Sequence, residues 1–184
     1  MRRPAAAVLV AIAVTCLSQA GLRASDSAEY DVKAAFLFNF AKFVEWPSSI
    51  FAGPDDPLEI CVLGHDPFGA TLDDVVRGER ANDRPMTVER PQNAAAARTC
   101  HILFVSASEQ PRLAEILRTV DRSRTLTVSD VPGFLEMGGA LRFFLAGNHV
   151  RFEINAATTE EAQFRVSSKL MRVARVTRPE TGSR

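Results

Sequence analysis

The sequence predicts an α/β fold: a mainly parallel β-sheet with helices on both faces, completed by a C-terminal β-hairpin and a last helix. Three observations carry this reading. Short apolar runs alternate with helical patterns between residues 58 and 128, the rhythm of strand–helix–strand units. Gly147-Asn148 joins two further apolar runs with the two residues that favour a tight hairpin. A strongly helix-periodic stretch, EYDVKAAFLFNFAKFVEW over Glu29–Trp46, comes before them all and holds four of the twelve Phe with the only Tyr and the only Trp.

On a helix this stretch places Val32, Phe36, Leu37, Phe40, Phe43 and Val44 on one broad face, with Asp31, Lys42 and Glu45 on the other. Pro47 disfavours helical geometry at Trp46, so the helix is expected to end there. Phe38 falls on the polar side. Either another segment covers it, or it is a contact surface for another protein.

The elements then follow in order. A linker with Gly53, Pro54 and Pro57 spans residues 48–57. LEICVLG over Leu58–Gly64 is a short apolar strand, and a helix is expected from Pro67 or Phe68 to Arg77. A weaker strand covers Pro85–Arg90, and Ala94–Arg98 forms a helical turn. HILFV, His101–Val105, is the clearest buried strand. Ser106 and Ser108 are expected to cap a helix over Glu109–Val120. Leu126–Val128 is a strand ended by Ser129-Asp130 and Pro132-Gly133. Ala140–Ala146 and His149–Ile154 form the hairpin. A last helix from Asn155 to about Arg175 would turn Ala162, Val166, Leu170, Val173 and Ala174 inward and leave Phe164 and Met171 on the opposite side.

Residues 1–24 read as an export signal, with Arg2-Arg3 followed by an apolar run too short for a stable span. Cys16 raises a lipoprotein alternative, against which Thr15 argues. The remainder divides into a domain over residues 25–176 and a tail over 177–184. The whole sequence is formally neutral, but residues 1–24 take Arg2, Arg3 and Arg23 with them and no acid. The exported part then carries 19 basic and 22 acidic residues, which argues against nucleic acid as a partner. Cys61 and Cys100 remain as an even pair in an oxidising compartment, which points to a disulfide; two buried free thiols are the alternative.

No catalytic constellation emerges. His65, His101 and His149 belong to no metal-ligand spacing, so no metal or cofactor is expected. GHDPFG lacks the spacing and the Lys of a phosphate loop, and no Ser sits in a nucleophile elbow. The sequence therefore does not read as an enzyme. His65, Asp66, Ser106, Ser108, Ser129 and Asp130 all follow the carboxyl ends of expected strands, where open α/β sheets bind ligands. They form a possible ligand pocket or are ordinary loop and capping residues.

Five segments in order, YDVKAAFLFNFAKFVEWP, ICVLGHDPFG, CHILFVSASE, LTVSDVPGFLEMGGALRFFLAGNHVRFEIN and SSKLMRVARV, make the chain beyond the export signal similar to the YfiR family. The resemblance implies a periplasmic α/β protein that binds the periplasmic part of a membrane diguanylate cyclase, YfiN-like, and keeps cyclic di-GMP synthesis low. It implies dimerisation and an outer-membrane lipoprotein able to sequester the repressor. Cys61 and Cys100 match the family's paired cysteines. The second pair that some members carry is missing, since Met137–Ala140 holds no Cys. Trp46-Pro47 and Gly138-Gly139 match two family signatures and read as structural. Phe38, Phe164 and Met171 are assigned to a cyclase-binding or dimer surface. The competing reading is a periplasmic small-molecule-binding component that serves another receptor or transporter.

Overall fold

Residues 27–43 form α1 in the computed structural model of the protein, which describes residues 27–178. The expected export signal and the tail beyond Arg178 lie outside the described residues. The face of α1 that packs on the sheet is Lys33, Ala34, Leu37, Phe40 and Ala41, all buried. This face is rotated from the expected one. Val32 is 45% exposed, and Phe36 and Phe43 are only half-buried. Periodicity had weighted the large apolar side chains. Close approach to the sheet is made instead through small Ala34 and Ala41, with Lys33 neutralised by partners described below.

The chain leaves α1 three residues before Trp46, because β1 (Val44–Glu45) pairs with a later strand rather than continuing the helix. β2 (Leu58–Leu63), α2 (Ala70–Val76), β3 (Arg80–Ala81), β4 (Arg84–Glu89), β5 (Ile102–Val105), α3 (Leu113–Thr119) and β6 (Leu126–Ser129) follow. β7 (Leu141–Ala146) and β8 (His149–Asn155) form the expected hairpin, with Gly147 at φ +60° in its turn. α3 is shorter than expected. Residues 107–112 form a 3-10 segment with Pro111 inside it, and the α-helix begins only after that imino acid.

The C-terminal segment departs most from expectation. One helix from Asn155 to about Arg175 is replaced by α4 (Ala156–Glu161), β9 (Arg165–Val166), α5 (Ser168–Val173) and β10 (Arg175–Thr177). Asn155 caps α4 by accepting from the Thr158 N–H. Gln163, at φ +59°, then turns the chain out of the helix. β9 pairs antiparallel with β1, matching Val44 to Val166 and Glu45 to Arg165. Ser167 caps α5 through the Leu170 N–H, so Ser167-Ser168 restarts a helix rather than lying inside one. β10 runs to Thr177, one residue into the expected tail.

Eight strands form one sheet in the order β10-β8-β7-β6-β5-β2-β4-β3, parallel except for the β7–β8 and β3–β4 pairs. The α/β class and the helices on both faces are as expected. On one face α1, α2 and α5 cover Leu58, Ile60, Phe104, Val128, Phe143 and Phe152. On the other, α3 covers Cys61, Leu63, Leu103 and Val105 through Leu113, Ile116 and Leu117. Alternate side chains of β2 and β5 feed the two cores, which is why both strands read as continuous apolar runs.

Cys61 and Cys100 form the expected disulfide, with Cα atoms 5.8 Å apart and both residues buried. The bridge ties β2 to the turn that leads into its neighbour β5, across a separation of 39 residues. Beyond β6, Gly138 sits at φ +94° and Gly139 lies against a ring: a Cβ there would stand 2.2 Å from Phe134. The pair turns the chain into β7 where a side chain has no room.

Candidate interaction surface

The carboxyl ends of β2, β5 and β6 gather the six residues expected to line a pocket along one edge of the sheet. Their polar atoms largely bond within the protein. Asp66 accepts from the N–H groups of Phe68 and Gly69 and pairs with Arg90 Nε at 2.8 Å. Arg90 also grips Asp73 at 2.6 Å, which holds the Asp73 carboxyl below its usual range and raises the guanidinium's own proton affinity. Ser108 Oγ accepts from the exposed His65 N–H at 2.9 Å rather than capping its own helix. Ser106 takes the N-cap position but makes no side-chain cap bond. Ser129 Oγ donates to the Val105 carbonyl and accepts from the Val131 N–H. Asp130 accepts from Tyr30 at 2.8 Å and from Lys33 Nζ at 2.6 Å, and Lys33 also pairs with Glu29. These contacts bind loops and α1 to the sheet edge.

A different cleft, of about 290 Å³, opens beside Trp46, Phe51, Asn82 and Arg84. His101 lies behind Phe51, with the two rings stacked at 4.6 Å. Its Nδ1 accepts from the Glu59 N–H, whose carbonyl accepts from the His101 N–H in return. Burial and the charges of Arg124 and Arg84 push the imidazole pKa down to about 4. His101 Nε2, Trp46 Nε1 and Arg124 Nε are buried without a hydrogen-bond partner, unusual enough to mark this corner. Glu59, Cys61 and Cys100 come within metal-ligand distance of one another. The two sulfurs are bonded to each other, so this is not an open ligand set.

Large apolar side chains are exposed on α1, the hairpin, α5 and β10. Val32, Leu145, Val173 and Val176 are four of the five large apolar residues exposed among those described. A groove of about 550 Å³ runs beside α1, lined by Val32, Phe36, Leu145 and Val150 with Glu29 and Arg151 at its rim. Phe36 also lines a second recess, about 190 Å³, with Phe43, Leu170, Val173 and Lys169. The two join into one apolar strip between the hairpin tip and α5.

The three residues assigned to a surface lie elsewhere. Phe164 is 7% exposed and packs on Trp46 at 5.9 Å, because the chain around it is β9 and not the wet face of a helix. Phe38 and Met171 are half-buried, and Lys42 covers the Phe38 ring at 4.7 Å. Sequence reasoning missed Val32, Leu145 and Val173 as surface residues. Val32 and Val173 had been placed on inner faces by helix periods that the structure rotates or interrupts. The signal that would have found Val173 is the Ser167-Ser168 cap pair.

No described helix is long and apolar enough to cross a membrane. Residues 30–175 match a family model described as YfiR/HmsC-like. No curated protein matches the chain.

Proposed function

Because the chain belongs to the YfiR/HmsC-like family, we propose that it is an exported, non-enzymatic regulator of a membrane-bound diguanylate cyclase. The single observation that carries this is the family match over nearly the whole described domain. The protein binds the cyclase's periplasmic part and holds cyclic di-GMP synthesis low, as a homodimer that an outer-membrane lipoprotein sequesters. Residues 1–24 direct export, and residues 25–176 are the regulatory domain.

Repression of this kind is a population shift, which a ligand produces only by binding two states unequally. Moving a cyclase from almost fully active to almost fully inactive takes about 10⁴-fold preference, or about 5.5 kcal/mol. A few well-buried anchors on an apolar surface supply energy on that scale. The strip beside α1 has the exposed apolar side chains for it.

Deleting the gene and measuring cellular cyclic di-GMP tests the reading. A rise that is reversed by the exported protein is expected, and an unchanged level contradicts it. A second reading, a small-molecule-binding component, is favoured by the unpartnered Trp46 and His101 nitrogens near the Arg84 cleft. Isothermal titration against small metabolites tests that one, with heat abolished by Arg84→Ala as its expected sign.

A further inference from the structure

β7, β8 and β10 turn a second row of side chains to the sheet face opposite α1. Phe143 opposes Phe152 in the core under α1, so by strand alternation Arg142 with Glu153, and Phe144 with Arg151, point to the other face. β10 adds Arg175, which is in register with Glu153. α3 covers β2 and β5 on this side, and no β7, β8 or β10 side chain enters the core beneath it. Arg151 and Arg175 are exposed, and Arg142 and Phe144 are half-buried.

Three arginines thus share this open face with one carboxylate. Buried Glu153 takes Arg142 at 2.5 Å and Arg175 more loosely at 3.9 Å. Arg151 makes no ion pair among the described residues. Two positive charges are left uncompensated here, in a chain that is formally neutral over its whole length. Phe144 stands beside two of the cations, its ring centroid 4.5 Å from the Arg175 guanidinium and 5.9 Å from that of Arg142. Strand spacing sets the three arginine Cα atoms within about 10 Å of one another.

We infer that this face docks an acidic segment of a partner protein. The reading rests on the preceding one only for which chain supplies that segment. Charge complementarity selects the partner: planar guanidinium forks match carboxylates, and Glu153 already seats one carboxylate between two of them. A lipid surface fits less well. Phe144 is the only side chain on this face of the hairpin that is apolar and larger than Ala, and it is half-buried beside cations, which leaves nothing to enter the acyl layer. A second copy in a two-fold arrangement would set the same arginines against themselves, a like-charge cost.

Two fluorescein-labelled peptides test this against the purified protein, one of alternating Glu and Ser and the other of alternating Gln and Ser. In fluorescence anisotropy the Glu peptide binds at least tenfold more tightly than the Gln peptide, and added salt narrows the gap. Arg151→Ala with Arg175→Ala weakens the Glu peptide at least fivefold. Arg77→Ala with Arg165→Ala removes the same charge from exposed arginines elsewhere and changes binding less than twofold. Phe144→Leu, which removes no charge, weakens the Glu peptide by freeing the guanidinium planes. The four arginines are exposed and Phe144 belongs to neither core, so thermal melts of the variants stay close to the parent.

Equal binding of the two peptides, binding of neither, or an equal loss in the two double variants overturns the inference. So does binding to phosphatidylglycerol vesicles in place of the acidic peptide, or self-association in sedimentation that Arg151→Ala with Arg175→Ala abolishes. If the peptide preference holds but gene deletion leaves cyclic di-GMP unchanged, the arginine face stands and the cyclase reading falls. If deletion raises cyclic di-GMP while the peptides show no preference, the reverse holds.

Discussion

Lys33 Nζ lies 2.6 Å from Asp130 Oδ2, although 97 residues separate them in the chain. This contact joins the first turns of α1 to the carboxyl end of β6 and places a 3%-exposed ammonium between two carboxylates. A buried cation deprived of a partner is costly. Asp130→Ala should therefore lower stability by about 3 kcal/mol, read as a fall in the urea midpoint. An unchanged midpoint would mean that Glu29 alone compensates Lys33.

The bridge between β2 and the turn before β5 closes a long loop in the unfolded chain. Replacing both Cys61 and Cys100 by Ala should cost about 4 kcal/mol in the chain-entropy model. Both cysteines are essentially inaccessible. Millimolar dithiothreitol should then leave the bridge intact in native buffer and cleave it in urea, as followed by alkylation and mass. Reduction at equal rates in the two conditions would contradict the buried placement.

His101 makes stability depend on pH. Its folded pKa, about 4, lies below the ordinary value of 6.5, so the unfolded chain binds the extra proton between those two values. Stability from this group is complete above pH 6.5 and is lost as pH falls towards 4, on the order of 3 kcal/mol in all. His101→Asn should flatten the slope of urea midpoint against pH in that window. A slope kept by the variant assigns it to other groups.

Gly139 is a steric requirement. Gly139→Ala sets a methyl against the Phe134 ring and should cost about 1–3 kcal/mol. Gly53→Ala, with nothing within 4 Å, is the control and should leave the melting temperature nearly unchanged.

How much of this was legible in the sequence depends on how local the determinants are. LEICVLG and HILFV are read as strands because burial on both faces leaves no polar alternation to confuse them. Gly147-Asn148 announces its hairpin through turn chemistry confined to two residues. The C-terminal segment was misread because Phe164 and Val166 fit a helical period, while β9 exists only through its pairing with Val44 and Glu45, more than 100 residues away. The same tertiary contact ends α1 before Trp46.

The candidate surface was less legible than the fold. Large apolar residues off the expected face were natural suspects, yet Phe164 found a buried place beside Trp46. Val32 looked like core until Ala34 and Ala41 turned α1 away from it. The six loop residues follow the carboxyl ends of β2, β5 and β6, which the order of apolar runs implies. Their hydrogen bonds to one another's loops depend on registers that sequence spacing does not encode.

The protein is proposed to restrain a cyclase from outside the inner membrane. The most direct measurement uses spheroplasts of a strain lacking this gene, with the purified protein added to the medium and cyclic di-GMP followed over time. Cyclic di-GMP should fall in a dose-dependent way. A level that stays high at saturating protein would contradict it.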